Sequence, residues 1–160
     1  MNAQSFNSDT LEDNSDIIGF NSDNLKNYTR LSIPGCPIPK ARARFFRCGG
    51  SVRVYDPQNA DKQSFREVLR DAFGHPPLEG PISLSIVCVF KTPKCHLFKE
   101  SFFHVVKPDV DNLIKWVGDV GNGILWRDDK QIVSIAATKL YSVEPRTQIA
   151  FGEIIRTVVI

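Results

Sequence analysis

The sequence lacks any long run of apolar residues. Its best candidate, residues 82–90, is interrupted by Ser83 and Ser85, whereas a membrane-spanning helix needs roughly 18 or more consecutive apolar residues. The N-terminus also lacks a basic stretch followed by an apolar one, so we expect no secretory signal peptide. These two absences predict a soluble cytoplasmic protein with no membrane partner.

Cysteine is scarce, and its spacing does not suit the common zinc sites. The chain has four cysteines and no CxxC pair, and Cys88, Cys95 and His96 match no common pattern of zinc ligands. Without an export signal, we expect reduced thiols rather than disulfides. The sequence therefore argues against a structural zinc site and against a disulfide framework.

Acidic residues are missing from one long stretch of the chain. No Asp or Glu lies between Arg30 and Arg53, whereas residues 1–27 carry five acids and one base, a net charge of −4. The remainder of the chain has 19 bases and 13 acids, a net charge of +6. A basic body behind an acidic segment predicts a polyanionic partner for the body. The bases of the acid-free stretch are Arg30, Lys40, Arg42, Arg44, Arg47 and Arg53.

The first 27 residues are rich in Asn, Ser and Asp and show no sustained apolar period. We predict that residues 1–27 form a flexible acidic tail and that residues 28–160 form one folded domain. Within the tail, FNSDTL at residues 6–11 nearly repeats as FNSDNL at residues 20–25. This repeat is consistent with a docking sequence and equally with chance.

Hydrophobic periodicity predicts six strands and two helices. Residues 82–90 are apolar on both faces towards their end, which is typical of a strand at the centre of a sheet. The order of the elements predicts a single-domain α+β fold, with a mixed β-sheet and its two main helices on one face. The predicted strands are residues 28–33, 44–46, 52–55, 82–90, 131–141 and 147–159, and the predicted helices are residues 59–73 and 110–120.

Two acidic pairs flank the second predicted helix: Asp109 and Asp111 at its start, Asp128 and Asp129 after its end. Carboxylates two residues apart diverge in a helix but share a face in an extended segment. Asp109 and Asp111 can therefore converge if Asp109 precedes the helix as its N-cap. We expect the glycine turn after the helix to return the second pair to the same region. Clustered carboxylates need a cation, and all-oxygen ligands suit Mg²⁺ or Mn²⁺.

The same residues also have an ordinary structural interpretation. Asp is common at helix N-termini, where it caps free N–H groups, and Asp-Asp is common in turns. Lys115 lies four residues after Asp111 and hence on the same helix face. Lys115 either forms a weak surface ion pair with Asp111 or supplies a cation that stabilises the negative charge developing on a phosphate.

Two segments around these acids form a recognisable combined motif. They are KPDVDNLIK at residues 107–115 and GILWRDDKQIV at residues 123–133. Together they resemble the signature of RusA-type Holliday junction resolvases: R/K-x-D-x-D-N-x-x-K, a spacer ending in a small-residue turn, and D-D-x-Q-V/I. IPGCPIPKARAR at residues 33–44 and VYDP at residues 54–57 also resemble the opening segment of that family. The resemblance covers about residues 30–156 and excludes the acidic tail.

The resemblance implies a RusA-like nuclease domain over residues 28–160 and gives each acid a role. It makes Asp109, Asp111 and Asp129 the catalytic metal-binding acids, Lys115 the catalytic-site lysine, and Asp128 a supporting metal ligand. It implies Mg²⁺ as the cofactor, with Mn²⁺ as a substitute, and branched four-way DNA as the partner. Family members act as homodimers that cut symmetrically opposed strands. The implied function is Mg²⁺-dependent resolution of Holliday junctions in DNA recombination and repair.

Basic residues on either side of the acids are candidates for DNA contacts. Lys40, Arg42 and Arg44 alternate, so they share one face if that stretch is extended. The alternative is a charged edge that discourages strand pairing. Contacts of this kind position DNA through its phosphates without reading its sequence. The predicted DNA-binding residues are Lys40, Arg42, Arg44, Arg47, Lys94 and Lys107.

Three other functions stay open on the sequence alone. One is a broader nuclease that cuts flaps or forks with the same acids. Another is a catalytically silent protein that binds DNA junctions, although binding alone would favour neutral or basic residues facing phosphate. The third is a metal-dependent hydrolase of small phosphate esters, which leaves the long basic segments unexplained.

The end of the second predicted helix and its turn carry more apolar residues than one helix stripe needs. We expect part of this excess to form the interface of the homodimer. The residues concerned are Trp116, Val120, Ile124, Leu125 and Trp126.

Overall fold

The computed structural model describes residues 24–42, 44–93 and 103–155. The first copy of the repeat, most of the second copy and Lys94 lie outside these residues. The strands are β1 (Leu25–Pro34), β2 (Arg44–Cys48), β3 (Ser51–Tyr55), β4 (Ile82–Lys91), β5 (Ile132–Ser142) and β6 (Arg146–Ile154). The helices are α1 (Asn59–Phe73), α2 (Val110–Gly121) and a short 3₁₀ helix, Asp129–Gln131.

Four of the strands form one mixed sheet in the order β1-β6-β4-β5. β4 and β5 are parallel, whereas β6 runs antiparallel to both β1 and β4. β2 and β3 form a separate antiparallel hairpin, closed at Gly49 and Gly50, which both have positive φ. The predicted α+β fold, with a mixed sheet, two main helices and one domain, is confirmed.

The first strand begins earlier than the alternation of its residues predicts. Leu25 pairs with Ile154 and Lys26 with Glu153, so β1 starts three residues before Tyr28. An irregularity between Lys26 and Thr29 interrupts the pairing. This break in register hides the start of the strand from a pattern based on strict alternation.

Both helices cover the same face of the sheet. In β4, alternate residues from Ile82 to Phe90 point into this core, and β4 lies between β6 and β5 as predicted. On α1, Phe73 is buried while Val68 is 44% exposed. The helix residues buried against the sheet are Phe65, Leu69, Phe73, Leu113, Trp116, Val117 and Val120.

Glycine residues determine where the two helices end. α1 ends at Gly74, whose φ of 62° is left-handed and whose N–H donates to the carbonyl of Arg70. After α2, the chain folds back tightly, and a Cβ on Gly121 would lie only 2.6 Å from the Trp126 indole. Only glycine permits that close approach, so the turn packs directly under the helix.

The residues that we expected at the dimer interface are buried within the single chain. Each of the five apolar residues assigned to it is at most 5% exposed within the single chain. They fill the core because the turn brings Ile124, Leu125 and Trp126 back beneath α2. The interface interpretation of these residues is therefore wrong.

In the described part of the chain, no helix has the length and apolarity needed to cross a membrane.

Candidate functional site

Asp109 stands at the junction between an extended segment and α2. Its backbone is extended, with φ −71° and ψ 145°, and its side chain makes no capping hydrogen bond to the helix. The turn closes instead through the backbone, where the N–H of Asn112 donates to the Asp109 carbonyl at 3.2 Å. The purely structural interpretation of Asp109, as a side-chain cap, is therefore not what the structure shows. Its exposed carboxylate is available to a ligand.

Asp111 and Lys115 form the ion pair that their spacing predicts. The Lys115 ammonium lies 2.9 Å from Asp111 Oδ2, and the two side chains are 60% and 58% exposed. The hydrogen bond from Lys115 holds the pKa of Asp111 below its usual value. At this exposure the pair contributes little to stability. Its effect is to keep Asp111 ionised with a cation beside it.

The two residues of the second acidic pair, Asp128 and Asp129, have different structural roles. Asp128 caps the 3₁₀ helix, because its Oδ1 accepts a hydrogen bond from the Lys130 N–H at 3.1 Å. That bond, together with the Lys130 ammonium, keeps the pKa of Asp128 low. Asp129 is the first residue of the same helix, is exposed and leaves the capping to Asp128. Of the two, Asp129 has the carboxylate better placed for an external ligand.

The two acidic pairs flank α2 in the chain. The helix has 12 residues and is therefore about 18 Å long. Asp109 and Asp111 stand at its start, whereas the turn at its end leads directly to Asp129. Among the described residues, no group of three or more Asp, Glu, His or Cys side chains is close enough to hold a metal ion.

The expected convergence of the acids within one chain is therefore not found. After the turn, the chain passes through the short 3₁₀ helix. It enters β5 beside β4, where Ile132 pairs with Ile82. The Pro108 carbonyl, one residue before Asp109, accepts a hydrogen bond of 2.7 Å from the Lys139 ammonium of β5. The metal-binding and catalytic roles of the acids stay predictions.

Lys139 is a residue of this site that the sequence did not single out. From β5, its ammonium donates to the carbonyls of Val106 at 2.8 Å and Pro108 at 2.7 Å. The His104 N–H donates in turn to the Lys139 carbonyl at 3.0 Å. These bonds hold the segment that leads into Asp109. No local pattern marks Lys139, because it occupies an ordinary alternating position of a strand.

The predicted DNA-binding residues are placed in different ways. The Lys40 N–H donates to the Asn112 carbonyl at 2.9 Å, and its ammonium forms an ion pair with Asp119 on α2. Lys40 therefore ties its segment to the helix. It precedes β2 and does not continue that strand, which begins at Arg44. Among the members of the predicted set whose side chains the structure describes, Arg42, Arg47 and Lys107 are exposed.

Comparison with known proteins adds a family to this geometry. A family model described as endodeoxyribonuclease RusA matches residues 34–151. The chain is also 30% identical over 138 residues to the uncharacterized protein YqaN of Bacillus subtilis (strain 168), covering 78% of this chain and 96% of that protein. The matched region contains both acidic pairs, Lys115 and Lys139.

Proposed function

The chain belongs to the endodeoxyribonuclease RusA family, and we propose that it is a Mg²⁺-dependent, structure-selective endonuclease that resolves Holliday junctions in DNA recombination and repair. One observation carries the proposal. The fold does not use Asp109 or Asp129 as a side-chain cap, and it places Lys115 beside Asp111. A DNA substrate inside the cell gives the protein a cytoplasmic location.

The donor set fits a hard divalent cation. Carboxylate oxygens suit Mg²⁺, with Mn²⁺ as a substitute, and Asp109, Asp111 and Asp129 would hold it. The bound ion would activate water and stabilise the leaving oxygen of a phosphodiester. Lys115 would place its ammonium next to the attacked phosphate and balance the negative charge that develops there.

In the proposed homodimer, acids from the two chains would form each metal site. Each chain exposes Asp109 and Asp111 at one end of the helix and Asp129 at the other end. Two copies related by a two-fold axis meet through the same surface on each. We propose that the first pair of one chain and Asp129 of its partner then complete a shared site. Two such sites match the two opposed strands of a four-way junction.

DNA would be held through its phosphates by exposed basic residues. Arg42, Arg47 and Lys107 are exposed, and Arg44 and Lys94 stay in the proposed set from the sequence. Lys40 has a different part in this proposal, because its ammonium is engaged by Asp119. Through its backbone bond to Asn112, Lys40 would fix Arg42 relative to α2.

The direct test is cleavage of defined DNA substrates. The full chain is incubated with labelled four-way junction, flap and linear duplex, with and without Mg²⁺. We expect paired cuts in the junction only when Mg²⁺ is present, and little cutting of linear duplex. Equal rates on flaps would favour the broader nuclease, and binding without cutting would favour the silent junction binder.

A further inference from the structure

Glu153 is a buried acid with no place in the proposed chemistry. It lies on β6, and its side chain is only 8% exposed. Its Oε1 accepts hydrogen bonds from the backbone N–H groups of Gly80 at 2.7 Å and Glu79 at 3.0 Å. On its other oxygen it meets the Lys26 ammonium at 3.2 Å. A buried carboxylate with this many donors fixes the loop that supplies them.

Gln131 also forms hydrogen bonds with this loop, which comprises residues 78–80. Its Nε2 donates to the carbonyls of Leu78 at 3.1 Å and Gly80 at 3.0 Å. Its Oε1 accepts from the backbone N–H of Asp128 at 2.8 Å. Both amide hydrogens and the amide oxygen are thus engaged, and the backbone partners fix which way the amide faces.

The loop between these two side chains has little freedom to move. Leu78 also donates through its N–H to the Leu125 carbonyl at 3.0 Å. A Cβ on Gly80 would lie 3.1 Å from the Glu153 carboxyl group, which is closer than ordinary contact. The absence of a side chain at Gly80 lets the buried acid approach the backbone closely.

The geometry points to Gln131 as a positioning residue for Asp129, with Glu153 as the anchor of the loop that Gln131 holds. In these hydrogen bonds, the Gly80 N–H donates to Glu153, the Gln131 amide donates to the Gly80 carbonyl, and the N–H of Asp128, the residue before Asp129, donates to the Gln131 amide oxygen. The inference rests on the proposed function, in which Asp129 holds Mg²⁺. Removing an outer partner of a metal ligand typically costs about 10- to 100-fold in metal affinity or activity.

The hydrogen bonds that link Glu153, Gly80, Gln131 and Asp128 are called the relay below. Hydrogen exchange and Mg²⁺ binding, measured on the full chain, test it. Gln131→Met keeps the length of the side chain and removes its three hydrogen bonds. We expect faster amide exchange at Asp128 than in the wild type. We also expect the Mg²⁺ concentration for half-saturation, measured by calorimetry and by junction cleavage, to rise about 10- to 100-fold. Leu69→Ala is the control, because Leu69 is fully buried on α1 and its apolar side chain forms no hydrogen bond with the loop.

The control separates positioning from general stability. Leu69→Ala should lower the melting temperature and leave the Mg²⁺ dependence unchanged below that temperature. If Gln131→Met does not fold, Gln131→Glu and Glu153→Gln supply the comparison, since each keeps part of the bonding. Wild-type Asp128 exchange and wild-type Mg²⁺ dependence in Gln131→Met, or wild-type Mg²⁺ dependence in both fallback variants, would overturn the relay. A wild-type chain that does not cleave junctions would overturn the proposed function, while the exchange measurement would still decide the relay.

Discussion

Lys139 and Pro108 are joined by a hydrogen bond of 2.7 Å from the lysine ammonium to the proline carbonyl. A second bond, of 2.8 Å, reaches the Val106 carbonyl, so one ammonium holds the backbone on both sides of Lys107. The next residue after Pro108 is Asp109. A strand in the sheet thereby fixes the position from which the first acid of α2 projects.

Lys139→Met should weaken the hold on this segment and lower the cleavage rate by about 10-fold, as for other outer partners of metal ligands. Lys139→Arg keeps a cation and several N–H donors, so it should recover part of the rate. Single-turnover cleavage of a four-way junction at saturating DNA measures both variants. A Lys139→Met rate equal to wild type would mean that the segment needs no such support.

Asp128 caps the 3₁₀ helix and Asp129 does not, so substitutions of the two residues should have different effects. Asp129→Asn should abolish Mg²⁺-dependent cleavage and leave junction binding intact or tighter, because a negative charge near phosphate is removed. Asp128→Asn should cut at close to the wild-type rate, because Asn caps a helix as well as Asp does. Cleavage and gel-shift assays on both variants check this. An active Asp129→Asn together with an inactive Asp128→Asn would reverse the assignment.

The ion pair between Lys40 and Asp119 separates two neighbouring basic residues by their expected effect on DNA binding. Arg42→Ala should lower the magnitude of the salt slope by about 0.9, the value for one lost phosphate contact on duplex DNA. Lys40→Ala should leave the slope nearly unchanged, because that ammonium is already neutralised. Binding affinities measured over a range of salt concentrations give both slopes. Equal changes for the two variants would contradict this separation.

The buried acid Glu153 predicts an acid-sensitive part of the folding stability. Burial alone would raise the pKa of Glu153, but the Gly80 and Glu79 N–H groups and Lys26 hold it below its ordinary value. A depressed pKa stabilises the fold above the ordinary Glu pKa, and this contribution is lost as the pH falls through the folded-state pKa. Glu153→Gln should therefore unfold more easily at neutral pH, with the difference from wild type narrowing in acid. Urea unfolding across that pH range measures it, and a constant difference would mean that the charge contributes nothing.

Local sequence patterns predicted most of the fold, and for clear physical reasons. The 59–73 helix was correct at both ends because its apolar period and the left-handed Gly74 are both local features. The central position of β4 followed from a strand that is apolar on both faces. The spacing of Asp111 and Lys115 likewise predicted their ion pair.

The site was less predictable, because its partners come from distant parts of the chain. No pattern around Lys139 reveals that it will meet Pro108, and none around Lys40 reveals Asp119. The D-D-x-Q spacing does fit a capping box, and this signal could have identified the role of Gln131. The absence of a three-carboxylate group among the described residues was not predicted, because it depends on the path taken after the turn. That path is set by the pairing of β5 with β4.

The shared site in a homodimer leads to a prediction about mixed dimers. Asp111→Asn and Asp129→Asn chains should each be inactive alone. In a mixed dimer, one site carries both substitutions, and the other takes unmodified acids from each chain. Mixing the two variants should therefore restore nicking of the junction, but not paired cutting, because only one site in the dimer is intact. If all the acids served one site in a single chain, every site in the mixture would stay damaged and no nicking would return. Light scattering should give about twice the chain mass of 18.0 kDa, and a monomer that still makes paired cuts would contradict the shared site.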